Sequence, residues 1–206
     1  MIDVIFWDFD GVIIDSMEVR DQGFRQIFKY YPDEMVEDLI LYHRKNAGLS
    51  RFHKIRYFYA HILGKKITDE KVYDYAEKFS QTMREILVNH KYLIDETIAY
   101  IEKNYTRYQF HIVSGSEEQE LNYLCSQLGI DHYFKTIEGS PTPKKQLVKN
   151  ILEEYRYIPS EAILIGDSFN DYEAAIENGI HFYGYNNPEL KMLTESYIDT
   201  FRSWEL

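Results

Sequence analysis

The first apolar stretch of the chain constrains its fold more than any other feature. Residues 4–7 are all apolar, and Asp8, Phe9, Asp10 and Gly11 follow them directly. An apolar run without polar alternation predicts a strand buried on both faces, as in a parallel sheet. Such sheets bind ligands beyond the carboxyl ends of their strands. Because side chains alternate along a strand, we expect both carboxylates to address one bound group.

The Asp10-Gly11 pair has two other interpretations. An Asp-Gly pair after apolar residues is also a signal for a β-hairpin turn, and these residues alone leave that alternative open. An EF-hand calcium loop is excluded. Val12 stands where such a loop needs another oxygen ligand, and Val19 stands where it needs a Glu.

Length and charge bound the classes of protein that the chain can belong to. With 206 residues, 45% of them apolar, it has enough core for one domain, or for one domain with a smaller one inserted. A net charge of −11 argues against a nucleic-acid surface, and no apolar run approaches the length of a membrane span. We therefore expect no nucleic-acid partner and no membrane partner. Oligomeric state stays open.

The single cysteine and the N-terminus bear on the compartment. Cys125 has no second cysteine with which to form an internal disulfide, which fits a reducing compartment. The chain begins with a predicted strand and not with a charged-then-apolar leader. We therefore expect a cytoplasmic protein.

Two kinds of periodicity divide the chain. Residues 17–90 carry helical spacing, with breaks at 32–33 and 64–66, and predict an all-helical insert of about four helices. From about residue 95 onward, amphipathic helices separate short apolar strands, as in α/β proteins. The predicted fold is a Rossmann-like, doubly wound parallel sheet formed by residues 1–16 and 91–206, with the helical domain inserted.

The predicted helix after residues 110–115 has defined ends. Ser116 and Gln119 have the spacing of a capping box, so we expect Ser116 to begin this helix. An apolar stripe follows from Leu121 and is stopped by Gly129. Cys125 lies on that stripe and is expected in the core.

Polar residues suited to one kind of chemistry follow several predicted strands. Phosphoryl transfer needs an in-line nucleophile, a metal ion and hydrogen-bond donors around the transferred group. Mg²⁺ prefers a few carboxylates together with water and phosphate oxygens. Besides Asp8 and Asp10, the candidates are Ser114 and Gly115 after residues 110–113, Asp167 and Asp171 after residues 162–165, and Lys144, or in its place Lys145, in a Pro-rich loop.

With these residues in this order, the chain resembles the haloacid dehalogenase (HAD) superfamily. Residues 8–16 have the form of its first motif and residues 166–171 that of its fourth. Residues 113–115 are similar to the end of the second motif, and Lys144, with Lys145 as the alternative, matches the lysine of the third. The helical insert resembles the C1-type cap of the phosphoglycolate phosphatase and β-phosphoglucomutase branch.

The resemblance implies an enzyme that hydrolyses a small phosphate monoester, such as a sugar phosphate or a phosphoglycolate-like compound. Asp8 would attack phosphorus and form an aspartyl phosphate, which water then hydrolyses. Asp10 would protonate the leaving alcohol and later accept a proton from that water. The implied phosphate ligands are Ser114, Gly115 and Lys144. The implied Mg²⁺ ligands are the Asp8 carboxylate, the Asp10 backbone carbonyl, Asp167, and Asp171 directly or through water.

Two cap residues bear on the substrate. Residues 48–51 look like the mutase specificity loop, so Arg51 is either a substrate contact or a solvated residue at a helix start. Lys54 and Arg56 add positive charge nearby. Arg20 is expected to pair with a substrate anion or with a cap acid.

The mutase pattern resembles Asp-Thr followed by a His in the cap hinge, whereas this chain has Asp15-Ser16 and then Arg20. This difference favours a phosphatase. A sugar phosphomutase is the alternative. A non-catalytic HAD-like binding protein is the third hypothesis, and the sequence disfavours it because every essential group of the family is present.

Overall fold

One parallel sheet organises the molecule, which is described here from a computed structural model covering residues 2–194 and 196–206. The strand order is β3-β2-β1-β4-β5-β6, and all neighbouring strands pair in parallel. The strands are β1 Val4–Trp7, β2 Gln109–Glu117, β3 Thr136–Ser140, β4 Ala162–Gly166, β5 His181–Tyr185 and β6 Tyr197–Ile198. The chain therefore winds outward from β1 in both directions. Ligand sites of such sheets lie at this switch point, beyond the carboxyl end of β1.

Helices cover the sheet and fill the insert. Four α-helices stand between β1 and the next core helix, namely α1 Met17–Ile27, α2 Asp33–Lys45, α3 Arg51–Tyr57 and α4 Asp69–Ile86, with a π-helical turn at Phe58–Ile62. The remaining helices are α5 Asp95–Asn104, α6 Glu118–Gln127, α7 Lys144–Tyr155 and α8 Phe169–Glu177. The predicted α/β fold with an inserted helical cap is confirmed. The boundaries at residues 17 and 90 stay predictions.

Strand β1 is buried on both faces because each face packs into its own apolar cluster. Ile5 and Trp7 belong to the larger cluster, which continues into the cap through residues of α1 and α4. Val4 and Phe6 belong to a second cluster beneath α7 and α8. Burial on both sides fixes the strand in the sheet and presents the residue after Trp7 at the carboxyl edge.

Residues 131–133 form a 3₁₀ turn, and β3 begins at Thr136. The start of α6 differs from the predicted one. Ser116 does not cap α6, because β2 continues through it to Glu117. The Glu117 carboxylate instead accepts hydrogen bonds from the backbone amides of Gln119, at 3.1 Å, and Glu120, at 2.8 Å. The capping-box prediction is therefore wrong.

Candidate active site

A cavity of about 200 Å³ lies where the carboxyl ends of β1, β2 and β4 meet the cap. Parallel strands bring these ends to one edge of the sheet, so residues far apart in sequence share the cavity wall. Of the residues predicted from sequence, those that line it are Asp8, Asp10, Gly115, Ser114, Arg20, Arg51 and Asp167.

Three carboxylates form a compact cluster at one side of the cavity. Asp8, Asp167 and Asp171 each offer an oxygen, and these oxygens lie within 4.8 Å of one another. Burial and the charge of Asp171 raise the pKa of Asp8 to about 7. Burial and the charges of Asp8 and Asp171 raise the pKa of Asp167 well above its ordinary value. Oδ1 of Asp167 is buried without a hydrogen-bond partner among the described residues. A divalent cation fits these donors, because it would satisfy the free oxygen and offset the repulsion.

Lys144, the first residue of α7, compensates part of this negative charge. Its Nζ lies 2.8 Å from Oδ1 of Asp8 and also donates to Asp171. Burial acts to lower the pKa of Lys144, but the charges of Asp171 and Asp8 raise it, so the amine is protonated. Lys145 instead reaches the surface, where it pairs with Glu177 at 3.1 Å. Of the two lysines left open by the sequence, the structure brings Lys144 to the site.

Asp171 has a second role at the start of α8. Its Oδ2 accepts hydrogen bonds from the backbone amide of Ser168, at 3.0 Å, and from the Ser168 hydroxyl, at 2.6 Å. Ser168 in turn caps the helix. The capping box fixes this carboxylate beside Lys144 and Asp167, so the local fold of residues 168–171 positions one side of the cluster.

The Asp10 carboxylate lies apart from the cluster and is held by three donors. Its Oδ1 accepts from Nε of Arg20 at 2.5 Å and from the Ser16 hydroxyl, and its Oδ2 accepts from the Ser116 hydroxyl at 2.6 Å. Burial acts to raise the pKa of Asp10, but the Arg20 charge and the hydroxyl groups of Ser116 and Ser16 lower it. Asp10 is therefore ionised in this arrangement, and it is oriented by groups from both the core and the cap.

The two cap arginines predicted to meet the substrate are both paired with acids of the core. Arg51 donates to both carboxylate oxygens of Glu120, with Nη2 at 2.8 Å from Oε1. Arg20 donates to Asp10, and its Nη1 lies 3.2 Å from Oε1 of Glu120. Arg51 is 3% exposed and is thus not a solvated residue at the helix start, although α3 does begin there. Arg20 pairs with core acids and not with a cap acid.

The comparison with protein families decides the class of the chain. Residues 4–185 match the family model of haloacid dehalogenase-like hydrolases. The chain belongs to this family. A comparison with curated protein sequences finds no significant match. No helix among residues 2–194 and 196–206 combines the length and apolar character that crossing a membrane requires.

Solved structures with the same fold span nearly the whole hydrolase. β-Phosphoglucomutase from Clostridium difficile has a TM-score of 0.79 and 17% identity, covering 100% of this chain and 94% of that one. A predicted phosphoglycolate phosphatase from Haemophilus somnus has a TM-score of 0.76 and 18% identity, covering 97% and 95%. CbbY from Rhodobacter sphaeroides, in complex with xylulose-(1,5)bisphosphate, has a TM-score of 0.77 and 16% identity, covering 98% and 96%. The predicted family is confirmed.

Several residues of the hydrolase site were not predicted from the sequence. Ser16 and Ser116 bind Asp10, and Glu120 binds both cap arginines. A signal for Glu120 did exist: it stands four residues before Leu124, on the buried stripe of α6, where a charged side chain needs a partner. Ser116 gave a misleading signal, because its spacing to Gln119 imitates a helix cap.

The cap loop that carries Gly48 lies in close contact with the core loops around Gly115 and Ser168. A Cβ on Gly48 would lie 2.5 Å from the Ser168 hydroxyl and 2.9 Å from Cβ of Asn170. A Cβ on Gly115 would lie 2.4 Å from the Gly48 carbonyl oxygen. Only glycine permits this approach of backbone to backbone. The cap residues that line the cavity are therefore held against the core.

Proposed function

We propose that this hydrolase is a Mg²⁺-dependent phosphatase acting on a small phosphate monoester, such as a sugar phosphate or a phosphoglycolate-like compound. The contact that supports this best is the one between Lys144 Nζ and Asp8 Oδ1, at 2.8 Å, beside the Asp167 and Asp171 carboxylates. A nucleophile, a fixed cation and a set of metal ligands are the parts that phosphoryl transfer needs.

Asp8, Asp167 and Asp171 would hold the Mg²⁺, together with the Asp10 backbone carbonyl. When bound, the ion supplies positive charge to the non-bridging phosphoryl oxygens. Asp8 attacks phosphorus through a carboxylate oxygen, a P–O bond to the alcohol breaks, and an aspartyl phosphate forms. Lys144, Ser114 and the Gly115 amide are the proposed donors to the phosphoryl oxygens, which carry the developing charge.

Asp10 is proposed to serve both proton transfers. In its protonated form it gives a proton to the leaving alkoxide, and the carboxylate so formed takes a proton from the water that attacks the aspartyl phosphate and releases inorganic phosphate. The second transfer restores the protonated form for the next turnover. The ionised carboxylate, held by Arg20, Ser16 and Ser116, is the form required for activating water. This supports hydrolysis as the fate of the phosphoryl group.

Hydrolysis of p-nitrophenyl phosphate, followed with Mg²⁺ and with a chelator, tests the proposed activity. We expect turnover that requires the cation and that Asp8→Asn abolishes while circular dichroism stays unchanged. A folded protein that releases no phosphate from any of a panel of sugar phosphates, phosphoglycolate, nucleotides and phosphorylated cofactors would instead be a binding protein.

The mutase alternative has its own test. The fold is shared with a β-phosphoglucomutase. β-Glucose 1-phosphate is supplied with a bisphosphate activator, and both inorganic phosphate and glucose 6-phosphate are measured. We expect phosphate release. Conversion to glucose 6-phosphate without release would replace the phosphatase proposal by the mutase. The cytoplasmic location stays a prediction. The same holds for a small phosphate ester as the partner, and for the expectation that neither nucleic acid nor membrane is a partner.

A further inference from the structure

We propose that Lys54, and not Arg51, is the cation with which the cap binds the substrate, and that the substrate carries a second acidic group besides the transferred phosphate. This inference rests on the proposed phosphatase function and specifies its substrate class. It concerns the end of the cavity formed by α2, α3 and the loop between them.

The side-chain amine of Lys54 is buried and lines the catalytic cavity. The residue lies on α3 and is 3% exposed. Its Nζ donates one hydrogen bond, to the backbone carbonyl of Ala47 at 2.9 Å, and it forms no salt bridge with any carboxylate among residues 2–194 and 196–206. An ammonium group has three donors, so two remain available. A buried charge without a counter-ion is costly unless a ligand supplies one.

The two other cations of the cavity wall are already neutralised. Arg51 donates twice to Glu120 and once to the Ser80 hydroxyl, at 2.6 Å, and its guanidinium lies over the Phe79 ring. Arg20 donates to Asp10 and to Glu120. Both guanidinium groups are thus bound by core carboxylates. Lys54 is the cation of this wall left for an anionic group of the substrate.

The groups around Lys54 fit recognition of an anion. Arg20 and Arg51 face it as like charges, while the Asp10 and Asp167 carboxylates act on it from the core side. His43 of α2 also lines the cavity, and burial together with the Lys54 charge lowers its pKa, so its imidazole is neutral. Both ring nitrogens of His43 lack hydrogen-bond partners among the described residues. Burial and the Arg20 charge lower the pKa of Lys54 to about 7, and an anion beside its Nζ would raise this pKa and stabilise the ammonium form.

A purely structural role for Lys54 makes a different prediction. Its bond to the Ala47 carbonyl holds the loop that carries Gly48, and loss of this bond would impair closure over every substrate alike. Loss of an anion contact would instead impair only substrates that carry a second acid. The ratio of kcat/KM for an acidic and a neutral substrate therefore separates the two roles.

The experiment compares 2-phosphoglycolate with 2-hydroxyethyl phosphate, which has a neutral hydroxymethyl group in place of the carboxylate. Lys54→Met and Lys54→Gln are measured beside Arg56→Met, which removes a charge from the outer face of the same helix, where Arg56 pairs with Asp69. We expect both Lys54 variants to lower the kcat/KM ratio by about 10- to 100-fold, as for loss of a charge-assisted hydrogen bond, and Arg56→Met to leave it within about twofold.

An unchanged kcat/KM ratio in both Lys54 variants would overturn the inference, whether both substrates keep their kcat/KM or lose it equally. A readout without turnover separates this outcome from failure of the phosphatase proposal. Calorimetry measures the binding of 2-phosphoglycolate to the Asp8→Asn variant and to the double variant that also carries Lys54→Met. We expect the added Lys54→Met change to weaken this binding by a similar factor. Equal binding in the two proteins would reject the role of Lys54 whether or not the enzyme is a phosphatase.

Discussion

Arg51 of the cap and Glu120 of the core form a buried two-point ion pair that joins the two parts of the molecule across 69 positions of sequence. Glu120 also accepts from Arg20, so one carboxylate compensates two buried guanidinium groups. Burial acts to raise the pKa of Glu120, but the charges of Arg51 and Arg20 lower it, so the carboxylate stays ionised. The pair thus fixes the cap helix α3 to the core helix α6.

Glu120→Gln should be strongly destabilising, because it leaves Arg20 and Arg51 buried with too little negative charge. We expect a loss of about 3 to 5 kcal/mol in the free energy of unfolding, measured by urea denaturation. The matched control is Glu37→Gln, which breaks the exposed pair with Arg25 and should cost less than about 1 kcal/mol. Similar small losses in both variants would mean that Glu120 does not compensate the arginines.

The adjacent lysines provide a test of the proposed phosphate site. Lys144→Ala removes the cation that contacts Asp8, and kcat/KM for p-nitrophenyl phosphate should fall by at least about 100-fold. Lys145→Ala breaks only the surface pair with Glu177 and should change kcat/KM by less than about twofold. Equal kinetics of the two variants would exclude Lys144 from the phosphate site.

Binding of a divalent cation should be visible in stability as well as in activity. A cation between Asp8, Asp167 and Asp171 relieves their repulsion, so Mg²⁺ should raise the thermal unfolding midpoint. At a Mg²⁺ concentration of 100 times Kd, we expect the free energy of unfolding to increase by about 2.7 kcal/mol. Asp167→Asn should remove most of this increase, and Asp3→Asn, on the surface, should retain it. Identical midpoints of the unaltered protein in Mg²⁺ and in chelator would contradict the metal site.

Closure of the cap should depend on Gly48. A side chain in Gly48→Ala would lie 2.5 Å from the Ser168 hydroxyl, so the loop must move away from the core. We expect kcat/KM to fall by about 10-fold or more, because a lid that cannot close leaves the site incomplete. Gly64→Ala is the control: it has open space but a φ of +63°, so it should lower stability without changing kinetics. Unaltered kinetics of Gly48→Ala would show that closure tolerates the added methyl group.

The buried Lys54 should make stability depend on pH. Burial and the Arg20 charge lower its pKa from 10.5 to about 7. Between these pH values the unfolded chain holds a proton that the folded chain lacks, so stability rises with pH from about 7 to about 10.5, and the full penalty applies below about 7.

Lys54→Met removes this penalty and should therefore stabilise the fold at pH 6. We expect a gain of roughly 2 kcal/mol, less than the ~5 kcal/mol equivalent of the whole shift, because the bond to Ala47 is lost. The gain should disappear above about pH 10.5, where Lys54 is neutral in both states. Urea denaturation at several pH values measures it. A variant less stable than the unaltered protein at pH 6 would contradict a penalty of this kind.

Features that are encoded over a few consecutive residues can be predicted from the sequence alone. The apolar run before Asp8 predicts a doubly buried strand, and the spacing of Asp8 and Asp10 identifies the first motif. Helical periodicity predicts the cap insert, and residues 166–171 identify the fourth motif. These features follow from local backbone geometry and from short motifs, so no knowledge of distant contacts is needed to find them.

Contacts between side chains of distant elements depend on how those elements pack. Lys144 and Lys145 are neighbours in sequence, and only the orientation of α7 against the sheet sends one to Asp8 and the other to the surface. Arg51 is buried because α6 places Glu120 opposite it. The partner of a buried charge depends on the placement of elements far apart in the sequence, and no local pattern in the chain encodes that placement.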